Sequence, residues 1–237
     1  MARTDLVEQF KEEVHELTAA LIESGLVDDQ NFVNRRTVGN KREGTQTVAL
    51  EAAYWSDPDV RVLASIPYHE LHAHLTTSRA YDLRFLDGAL AQFRFEFSAD
   101  SPGILRRSRI AFLPAPDLTP FQQDPEIYLH DEVFGNVVDQ RAVTTPFRFD
   151  YDIREGTVVD GHHPAAHVTL GQYPHCRIAA AGPITPYYFV EFVARAFYRT
   201  KTISLTDQLP SPRVAVPATI TSHELTLVHI GLPTGAH

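Results

Sequence analysis

Between Tyr81 and Phe97 the chain alternates in side-chain character about an Asp-Gly pair. Tyr81, Leu83 and Phe85 lead up to Asp87-Gly88, and Ala89, Ala91, Phe93, Phe95 and Phe97 lead away from it. Residues two apart on a strand share a face, and Asp-Gly suits the positive φ of a tight turn. The segment is therefore predicted to be an antiparallel hairpin with one strongly aromatic face. A lone hairpin is marginal in water, so that face must be covered.

Two segments can cover it. Leu6, Phe10, Val14, Leu17 and Leu21 form one apolar stripe of a helix that starts near Thr4 or Asp5 and is stopped by Gly25. Thr185 is a good N-cap with Pro186 at the first helical position, and Phe189, Phe192, Val193, Ala196 and Phe197 follow on one face. Ser65-Ile66-Pro67 opens a shorter helix over Tyr68–Thr77.

Residues 31–48 read as a loop-rich hairpin with turns marked by Gly39, Asn40 and Gly44. Residues 109–113 read as a strand, the Pro-rich stretch 114–125 as a connection, and 126–139 as either helix or loop. Phe147, Phe149 and Tyr151 alternate with Arg148, Asp150 and Asp152, the pattern of a half-buried strand with a charged face. A turn over 156–164 leads to a returning strand in which Ala166, Val168 and Leu170 alternate with His167 and Thr169. After Pro210, Pro212 and Pro217, residues 219–230 read as a last strand. The whole is expected to be one α+β domain over 1–237. Its sheet is mainly antiparallel, with an N-terminal amphipathic helix and a helix at about 185–200 packed on it.

At 237 residues with 43% hydrophobic content, the core needs no disulfide or metal staple, and the single Cys176 excludes an internal disulfide framework. Cys176 itself reads as a small packed residue, since its neighbours His175 and Arg177 face the other way on a strand. The first helix carries Lys11, Glu12, Glu13 and Glu16, unlike a secretion signal, and no apolar run approaches bilayer length. The expected location is the cytoplasm, with no membrane contact. A net charge of −9 argues against a general DNA-coating surface but leaves room for a local basic cleft. Arg106, Arg107 and Arg109, or the looser group Arg35, Arg36, Lys41 and Arg42, are either solvated faces or nucleic-acid contacts.

Chemistry concentrates between Arg148 and Arg177. If the two strands there pair, Arg148, Asp150 and Asp152 share one face of the first, and His167 and Thr169 share one face of the second. Register alone decides whether those faces coincide. The turn adds His162 and His163, and Arg177 follows. Histidine exchanges protons near neutral pH, arginine holds phosphate through two donors, and a carboxylate can orient an imidazole. A salt-bridged outer face is the plainer alternative. Mixed ligation of a divalent ion by Asp150, Asp152, His163 and His167 is another, and His69, His72 and His74 form a weaker metal set.

These segments together resemble a bacterial family, domain of unknown function 2290. The likeness rests on Tyr81-Asp-Leu-Arg-Phe-Leu-Asp-Gly-Ala-Leu-Ala-Gln-Phe, Phe147-Arg-Phe-Asp-Tyr-Asp, His163-Pro-Ala-Ala-His-Val-Thr-Leu-Gly, Cys176-Arg-Ile, and Pro186 to Tyr198, in that order. Ala179 stands where the family often has proline. The strand Phe-Arg-x-Asp followed by a His-Pro strand, residues 145–171, is also similar to bacterial toxins of toxin–antitoxin pairs that act on RNA.

That local resemblance implies a ribonuclease-like, nucleic-acid-directed effector of a toxin or anti-phage system. His163 and His167 would be acid and base and Asp150 would orient a histidine, while Arg148, Arg177 and Asp152 would form the substrate- and phosphate-contacting set. No cofactor and no metal are expected. The partners would be RNA or another nucleic acid, together with an antitoxin or defence-complex protein. The alternative is a non-catalytic binding or assembly subunit that docks through its Pro-rich loops and N-terminal helix.

Overall fold

A computed structural model of the chain describes residues 5–40, 45–56, 66–101, 103–116, 145–173, 175–198 and 205–233. The expected connection beyond 116 and the ambiguous stretch 126–139 lie outside the described residues. The described residues form an α+β fold, with three α-helices and one ten-stranded, mostly antiparallel sheet.

Helix α1 (Leu6–Glu23) begins where the Asp5 carboxylate accepts the Val7 N–H, and it buries Val7, Phe10, Val14, Leu17 and Leu21. The strands β1 (Val27–Gln30), β2 (Asn34–Asn40) and β3 (Thr45–Glu51) follow. The region expected to be a loop-rich hairpin is thus, in its described residues, a regular antiparallel strand pair from Asn34↔Glu51 to Asn40↔Thr45. Helix α2 (Tyr68–Thr77) comes next.

Strands β4 (Leu83–Phe85) and β5 (Leu90–Ser98) are the Asp-Gly hairpin. Gly88 takes φ 87°, and the Asp87 carboxylate accepts the Ala89 N–H. Strand β6 (Leu105–Leu113) starts earlier than its apolar alternation suggests, because Arg107 and Arg109 occupy its outward face. Strands β7 (Phe147–Asp152), β8 (Ala166–Leu170) and β9 (Arg177–Ala180) precede helix α3 (Pro186–Phe197), whose Thr185 cap accepts the Tyr188 N–H. Strand β10 (His229–Ile230) closes the order, parallel to β9.

The last strand is shorter than expected. Thr221 and Glu224 form a reciprocal capping box, Thr221 N–H to Glu224 Oε2 and Glu224 N–H to Thr221 Oγ1, which curls the chain into a short 3₁₀ turn over Glu224–Thr226.

Helices α1 and α3 cover the same face of the sheet. Phe10 meets Phe95 at 4.8 Å, Phe93 meets Phe189 at 5.7 Å, and Phe147 meets Phe192 at 5.6 Å. Each fully buried aromatic of this kind contributes about 2–3 kcal/mol of transfer free energy. Glu13 of α1 points into this layer at 1% exposure. It accepts backbone N–H groups from Tyr187, Arg213 and Val214 at 2.7–3.0 Å. The Pro-rich segment 208–217, expected to carry partner contacts in the binding-subunit alternative, is held to α1 at Arg213 and Val214, with Val214 and Val216 buried.

On the opposite face, α2 packs Leu75 with Tyr81, Leu90, Ala111 and Leu113, and leaves the far end of the sheet to charged residues.

One edge of β5 is shared, since β4 pairs with its start and β3 with its end. At the join, Asp82 Oδ2 accepts the Phe93 N–H and the Tyr54 hydroxyl. Asp82 is fully buried, and burial raises its carboxyl from the ordinary 3.8 to about 7. An acid whose folded pKa is raised favours folding while it stays protonated. Its contribution is complete below about pH 3.8 and is lost as pH rises toward 7. Thermal melts of Asp82→Asn are therefore expected to fall less than those of the native protein between pH 5 and pH 8. Parallel curves would contradict the assignment.

Candidate functional site

The register of β6, β7, β8 and β9 settles which faces coincide. Arg109 stands opposite Asp150, Asp150 opposite His167, Arg148 opposite Thr169, and Thr169 opposite Arg177. Directly opposed residues of antiparallel strands project to one side of a sheet. All of them therefore lie on the face away from α1 and α3. One row across the strands reads Glu51, Arg94, Arg109, Asp150 and His167; a second, one step along, reads Glu96, Arg107 and Asp152. From β5 to β9 this face carries five arginines against three carboxylates, although the chain as a whole is at −9.

Asp150 is the centre of the row. Arg109 Nε donates to its Oδ1 at 2.9 Å and Arg148 Nε to its Oδ2 at 2.5 Å. Burial alone would raise this carboxyl, but the two guanidinium charges overrule it and hold it below the usual aspartate range. Among the described residues, each arginine bonds this carboxylate through Nε. Burial and the nearby Arg109 charge weaken the hold of Arg148 on its proton, which Asp150 offsets, and Arg177 adds a further positive charge. No carboxylate among the described residues lies within ion-pair distance of Arg177. Two guanidiniums thus hold one carboxylate, and the charge of Arg177 acts on Arg148 from the neighbouring strand, an excess of positive charge that an anion would neutralise.

His167 lies at the floor of the row, 3% exposed. Its Nδ1 is 3.0 Å from the Pro164 carbonyl oxygen, which can only accept, so the ring proton sits on Nδ1 and Nε2 carries the lone pair. Asp150 Oδ2 is 3.8 Å from that Nε2, and both Asp150 oxygens are already held by arginine. The group that fixes the His167 tautomer is therefore the Pro164 carbonyl. Burial lowers the affinity of His167 for a second proton, and the charges of His163 and Arg177 push the same way, against the Pro164 bond and Asp150. The neutral form of the imidazole is thereby favoured more than in a free histidine.

His163 comes from the turn that the Val159↔His163 bridge closes, and its ring meets that of His167 edge-on at 5.1 Å. Two buried polar atoms here, His163 Nδ1 and Thr169 Oγ1, have no hydrogen-bond partner among the described residues. Orphaned polar atoms at such a density are uncommon and mark places where a ligand or water completes the bonding.

Asp152 lies one row away. Arg154 grips it through Nε and Nη2, and Arg107 approaches it at 3.8 Å. Among the described residues no three His, Cys, Asp or Glu side chains are placed to hold a metal ion. In the weaker set, His72 bonds the Gly88 carbonyl from a buried position while His69 and His74 are exposed.

Arg109 and Arg94 belong to the site although sequence reasoning left them out. Arg109 was grouped with Arg106 and Arg107 as a basic run, and only the full length of β6 reveals that 107 and 109 share a face. A shallow depression bounded by Trp55, Arg94, Glu96, Arg107, Ser108 and Arg109 continues the row outward from Arg109. The Arg94 guanidinium lies 5.4 Å over the Trp55 ring, a cation–π contact.

No helix among the described residues is long and apolar enough to cross a membrane. The family model described as Uncharacterized conserved protein (DUF2290) matches residues 26–232. No curated protein and no solved structure matches the chain, so the local likeness of 145–171 to RNA-directed toxins has no counterpart there.

Proposed function

We propose, for a chain that belongs to the DUF2290 family, that the outer sheet face binds the phosphate backbone of RNA and acts on it as a ribonuclease-like effector. The observation that carries the reading is that Arg109 and Arg148 hold Asp150 beside His167 on one sheet face that also carries Arg177, with two buried polar atoms there that have no partner among the described residues. Guanidinium donors fit non-bridging phosphate oxygens, and their unspent charge would stabilise the added negative charge of a pentacoordinate phosphorus.

The chemistry balances without a further reactant. His167 Nε2 takes the proton of a ribose 2′-hydroxyl, and the 2′ oxygen attacks the adjacent phosphorus. The bond from phosphorus to the 5′ oxygen breaks, and His163 returns a proton to that leaving oxygen. The products are a 2′,3′-cyclic phosphate and a 5′-hydroxyl. DNA lacks the internal nucleophile and would be bound but left intact. The likeness of 145–171 to toxins suggests a setting in a toxin or anti-phage system, with a partner protein that restrains the activity.

One observation favours a second reading, a non-catalytic binding subunit of a defence complex: His167 is 3% exposed and both Asp150 oxygens are occupied. Incubation of the purified protein, with any subunit that co-purifies, with 5′-labelled single-stranded RNA separates the two. Cleavage to cyclic-phosphate ends is the expected result. Binding without cleavage would establish the subunit reading, and neither binding nor cleavage of RNA or DNA would overturn both.

A further inference from the structure

The loop between β8 and β9 stands at the end of the sheet where Arg148 and Thr169 pair. Gly171 there donates to the Pro146 carbonyl at 2.7 Å, and Gln172 Nε2 donates to the Ile66 carbonyl just ahead of α2 at 2.9 Å. Gly171 takes φ +61°, and a Cβ on it would stand 3.3 Å from the Tyr173 ring and 4.0 Å from Thr145. The ring is therefore seated against a glycine whose backbone conformation few other residues adopt without strain. Tyr173 is nevertheless 72% exposed. A large aromatic packed against a glycine whose backbone is hydrogen-bonded, but left open to water, is unusual unless its face is used.

The loop is short, with Tyr173 four residues from Thr169 and four from Arg177. Chain length alone limits it to roughly 14 Å from either. Thr145, beside the loop, is three residues ahead of Arg148. An exposed aromatic face next to a cluster of guanidiniums has the two parts that single-stranded nucleic acid requires, a stacking platform and a backbone clamp.

We infer that Tyr173 stacks on an unpaired nucleobase of the polynucleotide whose phosphate lies at Arg148 and Arg177, so the substrate class is single-stranded. This rests on the phosphate-binding reading above. A duplex keeps its bases stacked internally and presents none to Tyr173, whereas any unpaired base offers a π-face whatever its sequence.

The test measures equilibrium binding of the full chain to a labelled single-stranded RNA, to the same length of DNA, and to an oligomer carrying abasic sites throughout. Tyr173→Ala is expected to weaken binding to the base-bearing strands by about tenfold, the loss of one base–aromatic stack. It should leave the abasic oligomer unaffected, and Tyr173→Phe should behave as the native chain. Equal affinities for Tyr173→Ala and the native protein, or an equal loss on the abasic strand, would overturn the stacking role. If the native chain binds none of the oligomers, the phosphate-binding reading itself fails. Thermal melting controls the variant's fold.

Discussion

Replacing His167 with alanine is expected to lower RNA cleavage by roughly 10²–10⁴-fold, the range lost with a general base, while binding of the same RNA is retained. The geometry makes the split specific. Nδ1 is committed to the Pro164 carbonyl, so Nε2 is the one position at which the ring can take a proton. The proposed phosphate contacts are Arg109, Arg148 and Arg177, and the hydrogen bond of the His167 ring among the described residues goes to Pro164. Because His167 is buried, alanine also leaves a small cavity. His167→Asn, whose side-chain amide can still donate to Pro164, keeps part of the packing and should be equally inactive. The pH profile carries a second signature. Burial lowers the His167 pKa below the ordinary 6.5, so the basic form survives further into acid. The acid limb of the rate should lie below pH 6.5 in the native protein. Cleavage by His167→Ala at the native rate would remove His167 from the chemistry.

The largest expected effect on stability belongs to Glu13→Ala. The native carboxylate accepts three backbone N–H groups, from the first turn of α3 and from Arg213 and Val214. Burial raises its carboxyl, which these N–H bonds partly counter. Alanine would leave three donors without partners inside the protein, at about 1–3 kcal/mol each. The combined loss of several kcal/mol corresponds to a Tm lower by roughly 10 °C or more for a chain of this size. Glu12→Ala, one residue away on the exposed side of the same helix, should stay within about 0.5 kcal/mol of native. Equal melting of the two variants would refute the clamp.

Glu13 also marks what local patterns do not reveal. Its neighbours Lys11, Glu12 and Glu16 make it look like part of a solvated face, and nothing nearby in sequence announces partners some 170 to 200 residues away. The α1 stripe, the Asp87-Gly88 turn and the Thr185-Pro186 cap were legible because each is decided by a few adjacent residues. The parity of β7 and β8 was equally readable. Their register was not, since the segment 153–165 between them could have set Asp150 beside His167 or displaced it. Arg109 was hidden for a related reason. Its partner lies across a strand pair separated by 41 positions, and charge density alone suggested a solvated run. The last strand is shorter than its alternation suggests because Thr221-x-x-Glu224 is also a capping signal, and in the fold those two residues cap each other.

The central claim is that the outer face is a phosphate-binding surface, and Arg177 tests it most cleanly. It has no carboxylate partner among the described residues, so its removal should leave the fold unchanged. The measurement is a titration of labelled single-stranded RNA against native protein and Arg177→Ala across a series of salt concentrations. Loss of one phosphate contact is expected to weaken binding and to reduce the slope of log affinity against log salt by about 0.7. The same affinity and the same slope in both proteins would show that RNA phosphate does not lie on this face.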